Sequence, residues 1–134
     1  MASASDFKAW AQPDLVIPFR GRDFIVAPPS VDDSAKLLAC AVRAEVAFGL
    51  AEGPIPDEVH AVLDTISPDE HPALGSVYNE MVAAGLSPVT IDRMAVYAIF
   101  YWARGEEYAD KLATVLWTPR ELPEAGEPAG PKAS

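Results

Sequence analysis

The sequence predicts a mainly α domain of the α+β type, a small bundle of four to five helices with an N-terminal β-hairpin and a disordered C-terminal tail. Three observations support this prediction. The ten residues 94–103 are all apolar, contain no glycine or proline, and are too many for an ordinary strand. Two short strand-like runs surround Arg20-Gly21-Arg22, and proline-rich, acidic residues follow position 117.

The domain boundaries follow from composition. Residues 1–13 are rich in alanine and serine and predict a flexible lead, in which Phe7 and Trp10 have the spacing of one helical turn. Residues 14–117 predict a single globular domain, since a chain of 134 residues that is half apolar suits one modest core. Residues 118–134 contain four prolines, three glutamates and no aromatic residue, which predicts a disordered tail.

The first element of the domain is a β-hairpin over residues 15–26. A two-residue loop that begins at Arg20 would pair Phe19 with Arg22. A loop that begins one residue later would instead pair Phe19 with Phe24, and the sequence leaves both registers open. An isolated hairpin is marginal in water, so we expect this one to pack against the helices.

Apolar periodicity predicts five helices, at about residues 31–48, 57–66, 72–84, 88–104 and 106–117. Ser30 and Asp33 resemble a capping box at the start of the first helix. Gly85 is a left-handed terminator for the third helix, and Ser87 with Pro88 marks the start of the fourth. The fourth helix is apolar on most of its circumference but too short to span a bilayer, which needs about 20 apolar residues.

Helical spacing also predicts which side chains are buried. The first helix should bury Leu37, Leu38, Ala41, Val42 and Phe48. The third should bury Leu74, Val77, Tyr78, Met81 and Val82. The last should bury Tyr108, Leu112, Val115 and Leu116.

The formal net charge is −10, and residues 32–85 hold ten acidic and two basic residues, or −8 of that total. Affinity for a polyanion depends on lysine and arginine, so the charge argues against binding to nucleic acid or to an anionic membrane. Solubility is the simplest role for the acidic surface, and a basic partner is the alternative.

Cys40 is the only cysteine, which excludes an intrachain disulfide and favours a reducing compartment. Its helical surroundings predict a buried, inert thiol.

No residue pattern predicts an enzyme, a cofactor site or a metal site. His60 and His71 lack metal-ligand spacing, and no phosphate-binding loop or nucleophile motif is present. The acidic pairs at 69–70 and 106–107 lie at predicted helix starts, where the helix dipole explains them.

The aromatic residues of the last two helices are the candidates for partner binding. Core packing explains most of them individually, but helices this apolar carry more surface than a small domain covers. We expect part of this surface, above all Tyr101 or Trp117, to form an exposed patch. The candidate residues are Tyr97, Phe100, Tyr101, Trp102 and Trp117.

The order of features resembles the tail assembly chaperones of long-tailed phages that infect actinobacteria. The resemblance rests on the 14–24 hairpin with the Pro28-Pro29 pair, on the block Leu-Gly-Ser-Val-Tyr-Asn-Glu-Met-Val-Ala-Ala-Gly that ends at Gly85, and on the stretch 91–102 that leads to Gly105-Glu-Glu. It covers most of residues 14–117.

The resemblance implies a non-enzymatic protein of the host cytoplasm that is absent from the mature virion. Such a protein binds the tape measure protein and keeps it soluble during tail assembly, and its own frameshift-extended form is a further possible partner. We expect an apolar groove rimmed with carboxylates beside residues 88–117. Two alternatives stay open: a structural tail completion or connector protein, and an acidic host-directed inhibitor that mimics nucleic acid.

Overall fold

The computed structural model describes residues 3–7, 11 and 13–118. Ala4–Asp6 form a single 3-10 turn. The rest of the described chain is a two-stranded antiparallel sheet followed by five α-helices, which confirms the predicted fold class. The elements are β1 (Leu15–Phe19), β2 (Arg22–Val26), α1 (Val31–Ala47), α2 (Asp57–Leu63), α3 (Val77–Ala83), α4 (Pro88–Arg104) and α5 (Glu106–Trp117). The predicted tail lies outside the described residues except for Thr118, as do residues 1–2, 8–10 and 12 of the predicted lead.

The hairpin adopts the register in which Phe19 pairs with Arg22. Its two loop residues, Arg20 and Gly21, have φ angles of 53° and 76°. Positive φ at both central positions defines a type I′ turn, whose twist matches that of the flanking strands. Glycine adopts this conformation freely, whereas Arg20 adopts it at a steric cost.

Pro18 is accommodated in β1 because of this register. It lies opposite Asp23, one position from the Phe19–Arg22 pair that closes the loop. Pairs alternate along an antiparallel ladder between hydrogen-bonded and non-hydrogen-bonded, so Pro18 occupies a non-hydrogen-bonded position. Its missing N–H therefore faces away from β2 and leaves the ladder intact.

Two helices are shorter than predicted. α2 ends at Leu63 rather than at residue 66, because the next bonds tighten to i→i−3 spacing and Ser67 precedes a proline. α3 begins at Val77 rather than at residue 72. Gly75 has a φ of 57°, which a continuous right-handed helix does not allow, so residues 72–76 form turns instead.

The predicted caps are largely confirmed. The Ser30 hydroxyl accepts a hydrogen bond from the Asp33 backbone N–H at 3.2 Å and starts α1. The Ser87 hydroxyl does the same for Thr90 at the start of α4. α3 ends before Gly85, where the Leu86 N–H donates to the Met81 carbonyl in a Schellman-type arrangement.

The core consists of two buried clusters that meet along α4. The larger cluster joins the hairpin, the start of α3 and the first half of α4, and Phe24 and Met81 are its most buried large side chains. The smaller cluster joins α1, α4 and α5 and comprises Ala41, Phe100, Ala109 and Leu112. Alanines at the α1 and α5 contacts allow close approach of the helix backbones.

Five residues predicted as buried are exposed instead. They are Leu38, Phe48, Val82, Val115 and Leu116. The predicted stripes were misplaced in part: α1 buries Leu37, Ala39, Cys40 and Ala41, and α5 buries Ala109 and Leu112. Spacing predicted part of the buried side of each helix but not how much of the helix a neighbour covers.

We expect Phe100→Ala to lower the free energy of unfolding by about 3–5 kcal/mol, because the ring is only 1% exposed and its removal leaves a cavity where α1, α4 and α5 meet. Val115→Ala, at a side chain that is 72% exposed, should change it by less than about 0.5 kcal/mol. Urea denaturation followed by circular dichroism measures both. Equal effects of the two substitutions would contradict the described core.

Candidate partner-binding surface

An apolar groove of about 410 Å³ lies between β1 and α4, with the end of α5 beside it. β1 contributes four consecutive residues to its lining because the strand runs along the groove with its free edge toward it. The lining residues are Val16, Ile17, Pro18, Phe19, Thr90, Arg93, Met94, Tyr97 and Trp117. Arg93 is the only charged residue among them.

A second, shallower depression of about 240 Å³ lies on the other side of Trp117. It is lined by Phe48, Val89, Asp92, Arg93, Val96, Leu116 and Trp117. Arg93 and Trp117 line both depressions, so the two form one continuous surface. We call this surface, made of both sets of lining residues, the Trp117 groove.

Arginine side chains cover two aromatic rings of the Trp117 groove. The Arg93 guanidinium lies 5.8 Å from the centre of the Trp117 ring, and that of Arg20 lies 4.9 Å from the centre of the Phe19 ring. Both are cation–π contacts, which orient the guanidinium over the ring face. The charged residue that lines the deeper depression is thus a cation, whereas the carboxylate of Asp92 lines the shallower one and that of Asp110 is bonded to Tyr97.

Tyr97 joins the groove to α5. Its hydroxyl donates a hydrogen bond of 2.5 Å to an Asp110 carboxylate oxygen. Burial of the phenol raises the pKa of Tyr97 far above its ordinary value, and the bond to Asp110 raises it further. Tyr97 thus stays a neutral donor at all physiological pH values and holds α5 against α4.

A second polar contact fixes the two helices to α1. The Arg104 guanidinium donates two hydrogen bonds to the Glu45 carboxylate, at 2.8 and 3.1 Å, and the Tyr108 hydroxyl donates a third at 2.9 Å. The bonds from Arg104, supported by that from Tyr108, lower the pKa of Glu45 despite its partial burial. This contact positions α4 and α5, and therefore Trp117, relative to Phe48 at the end of α1.

The structure separates the five candidate residues. Tyr97 and Trp117 line the Trp117 groove. Phe100 is buried in the smaller cluster, with its ring 5.6 Å from that of Tyr108, and so cannot contact a partner in the folded state. Tyr101 and Trp102 are half-buried against the larger cluster and stack edge to face, with ring centres 4.9 Å apart. They do not line the groove.

The position of the Trp102 indole nitrogen lowers the stability of the fold. Its indole Nε1 is buried and has no hydrogen-bond partner among residues 3–7, 11 and 13–118. A buried donor without a partner destabilises the folded state by about 1–3 kcal/mol. Trp102 packs against the larger cluster, and its polar atom has no partner in the described part of the chain.

Several groove residues are absent from the sequence-based candidates. The hairpin was expected to pack against the helices, and no residue of β1 was named as a binding residue, yet Val16 is 49% exposed; Phe48 was predicted to be buried but is 40% exposed. Val89 is 59% exposed in the first turn of α4. A valine between Pro88 and Thr90, outside the apolar stripe, was the one signal in the sequence for an exposed apolar side chain there.

Other polar residues do not form a chemical site in the described part of the chain. No group of three or more metal-ligating side chains occurs there. The His71 ring stacks on Tyr78, with ring centres 3.6 Å apart. Cys40 is buried, as predicted, and burial raises the pKa of its thiol. Among the described helices, none has the length and apolar character needed to cross a membrane.

Comparison with known proteins places the chain in one family. A family described as Domain of unknown function (DUF7426) matches residues 5–134, so the chain belongs to that family. Comparison with curated proteins found no match, and comparison with solved structures also found none.

We expect Glu45→Gln to lower the free energy of unfolding at pH 7 by about 1–3 kcal/mol, because it removes the charge from three hydrogen bonds. The pKa of Glu45 is lowered by folding, so its contribution is present above the usual carboxyl value of 4.5 and is lost as pH falls through the lower folded-state value. The difference between wild type and variant should therefore shrink below about pH 4.5.

Urea denaturation at pH 7 and at pH 3.5 measures this difference. Glu52→Gln is the matched control because Glu52 is exposed in the connection between α1 and α2. A stability difference for Glu45→Gln that is the same at both pH values would contradict the proposed charge pairing.

Proposed function

We propose that this member of the DUF7426 family is a phage tail assembly chaperone, which binds the tape measure protein in the host cytoplasm and keeps it soluble until the tail tube forms around it. The observation that carries the proposal is the Trp117 groove, a continuous apolar surface left open beside the two most apolar helices. The resemblance of the sequence to such chaperones supplies the identity of the partner.

The exposure of the groove supports a binding role. Val16, Phe48 and Val89 are each between 40% and 59% exposed, and they lie on three different elements that converge on Trp117. Contiguous apolar surface in contact with water is unfavourable, and it usually marks an interaction site. An amphipathic helix that inserts its apolar stripe into such a groove would remove both surfaces from water.

The shape of the surface suits a helical client. Two depressions separated by Trp117 offer separate sites for successive apolar residues of one stripe. Tryptophan is effective at such a position, because its large ring gives much apolar contact and loses little conformational entropy.

The charge of the chain supports the second part of the role, which is to keep a client in solution. The net charge of −10 makes chains repel one another, and the same repulsion would act between complexes. Affinity comes from an apolar groove, so salt should weaken client binding only slightly. An acidic mimic of nucleic acid would instead lose binding steeply with salt.

Val89→Glu should reduce the soluble fraction of a co-expressed tape measure protein by at least about fivefold, since a charge in the groove must lose its hydration when a client helix binds. Val31→Glu is the matched control. Val31 is 90% exposed, and like Val89 it lies in the first turn of a helix, where an added acid is tolerated. Both substitutions change the net charge by the same amount.

Sedimentation of lysates followed by quantitative immunoblotting gives the soluble fraction, and circular dichroism confirms that both variants are folded. Trp117→Ala provides a second test at the centre of the groove. Full client solubility with folded Val89→Glu and Trp117→Ala would exclude the Trp117 groove as the chaperone surface. Detection of the chain in purified virions would favour a structural tail protein instead.

A further inference from the structure

We propose that the Trp117 groove selects partner segments that carry an aspartate or glutamate beside an apolar anchor residue, with the carboxylate bound by Arg93. This inference rests on the proposed function, because it specifies the chemistry of the client segment. The proposed preference for acidic segments is the opposite of what the net charge of the whole chain predicts, since an acidic chain would attract basic partners.

The first support is the ion pairing of the basic residues. Arg22, Lys36 and Arg104 form ion pairs with Glu80, Glu70 and Glu45, respectively. Four basic residues form no ion pair within the described part of the chain: Arg20, Arg43, Arg93 and Lys111. Of these, Arg93 is the one that lines the Trp117 groove, where it lies over the Trp117 ring. In a chain with twice as many acidic as basic residues, a cation left without a carboxylate at the centre of an apolar surface is available to a partner.

The second support is the geometry of that cation. The Arg93 guanidinium lies over the Trp117 ring, 5.8 Å from its centre, and a guanidinium carries N–H donors in a planar fork that matches a carboxylate. The Trp117 ring holds Arg93 in place, so less side-chain entropy is lost when a carboxylate binds.

The third support is the opposite charge at the Tyr97 end of the groove. Tyr97 lies one helical turn from Arg93, about 6 Å along the axis of α4, and its hydroxyl binds Asp110. Glu106, at the start of α5, also acts electrostatically on Tyr97. Asp92 lines only the shallower depression, so within the deeper one a partner carboxylate would be attracted at Arg93 and repelled at the Tyr97 end, which distinguishes the two orientations of a bound segment.

Selection from a library of displayed helical peptides tests the inference and does not require that the client be identified first. The library has a fixed helical framework with a leucine anchor and with all residue types at the positions three and four residues away on either side. Purified full-length chain is the bait, as wild type, as Arg93→Ala, as Trp117→Ala and as Lys111→Ala. The last is the matched control, since Lys111 lies on α5 outside the groove and its loss changes the net charge equally.

We expect wild type and Lys111→Ala to enrich aspartate and glutamate beside the leucine anchor, and Arg93→Ala to lose this preference. In isothermal titration calorimetry, an enriched peptide should bind wild type about two- to fivefold more tightly than its Glu→Gln counterpart, the range for a partly exposed ion pair. Arg93→Ala should bind the two peptides equally.

Each other outcome overturns the inference. Enriched peptides without acidic preference, or with lysine and arginine preferred, would overturn it while the groove remains the binding surface. Acidic preference that survives in Arg93→Ala would assign the carboxylate to another residue. Failure of the proposed function is recognised separately: Trp117→Ala would then enrich the same peptides as wild type.

Discussion

The fold depends on one constraint, which is that α4 is apolar around most of its circumference and needs a neighbour on every side. α1 and α5 pack around Phe100 in its second half, and the hairpin, α3 and Leu37 of α1 form the cluster that reaches along α4 as far as Ala98. In the described part of the chain, no further helix or strand fills the space between the hairpin and the end of α5. The Trp117 groove is the part of this helix that the small domain leaves uncovered.

Polar contacts then fix the relative positions of α1, α4 and α5. Glu45 on α1 receives hydrogen bonds from Arg104 on α4 and Tyr108 on α5, so one carboxylate joins three helices beside the smaller cluster. The bond from Tyr97 to Asp110 acts between α4 and α5 at the groove itself. Because these contacts are only partly buried, they specify relative position more than they contribute net stability. The position of Trp117 follows from them.

The sequence was sufficient for the fold class, for the bounds of α4 and α5, and for the Ser30 and Ser87 caps, because caps and apolar runs are local signals. It failed where long-range packing decides the outcome. Spacing could not show which sides of α1 its neighbours cover, so Leu38 and Phe48 were expected inside, whereas Ala39 is buried. The hairpin register was left open, since it depends on whether Arg20 tolerates a positive φ.

The candidate site was predicted only in part, for the same reason. Tyr97 and Trp117 were identified from their apolar surroundings, whereas the contribution of β1 depends on a tertiary contact that local patterns do not encode. The role of Arg93 was missed because an arginine at a helical position has no distinctive sequence context. Its position over Trp117, in the lining of both depressions, depends on tertiary packing.

Pro18 has a consequence for self-association. The edge of β1 away from β2 lies beside the groove, and an open strand edge is a template onto which an extended chain can add by backbone pairing. Pro18 removes a donor from the middle of that five-residue edge, which disfavours sheet extension. A domain that offers apolar surface is thereby protected from growing into β-rich polymers with its own copies.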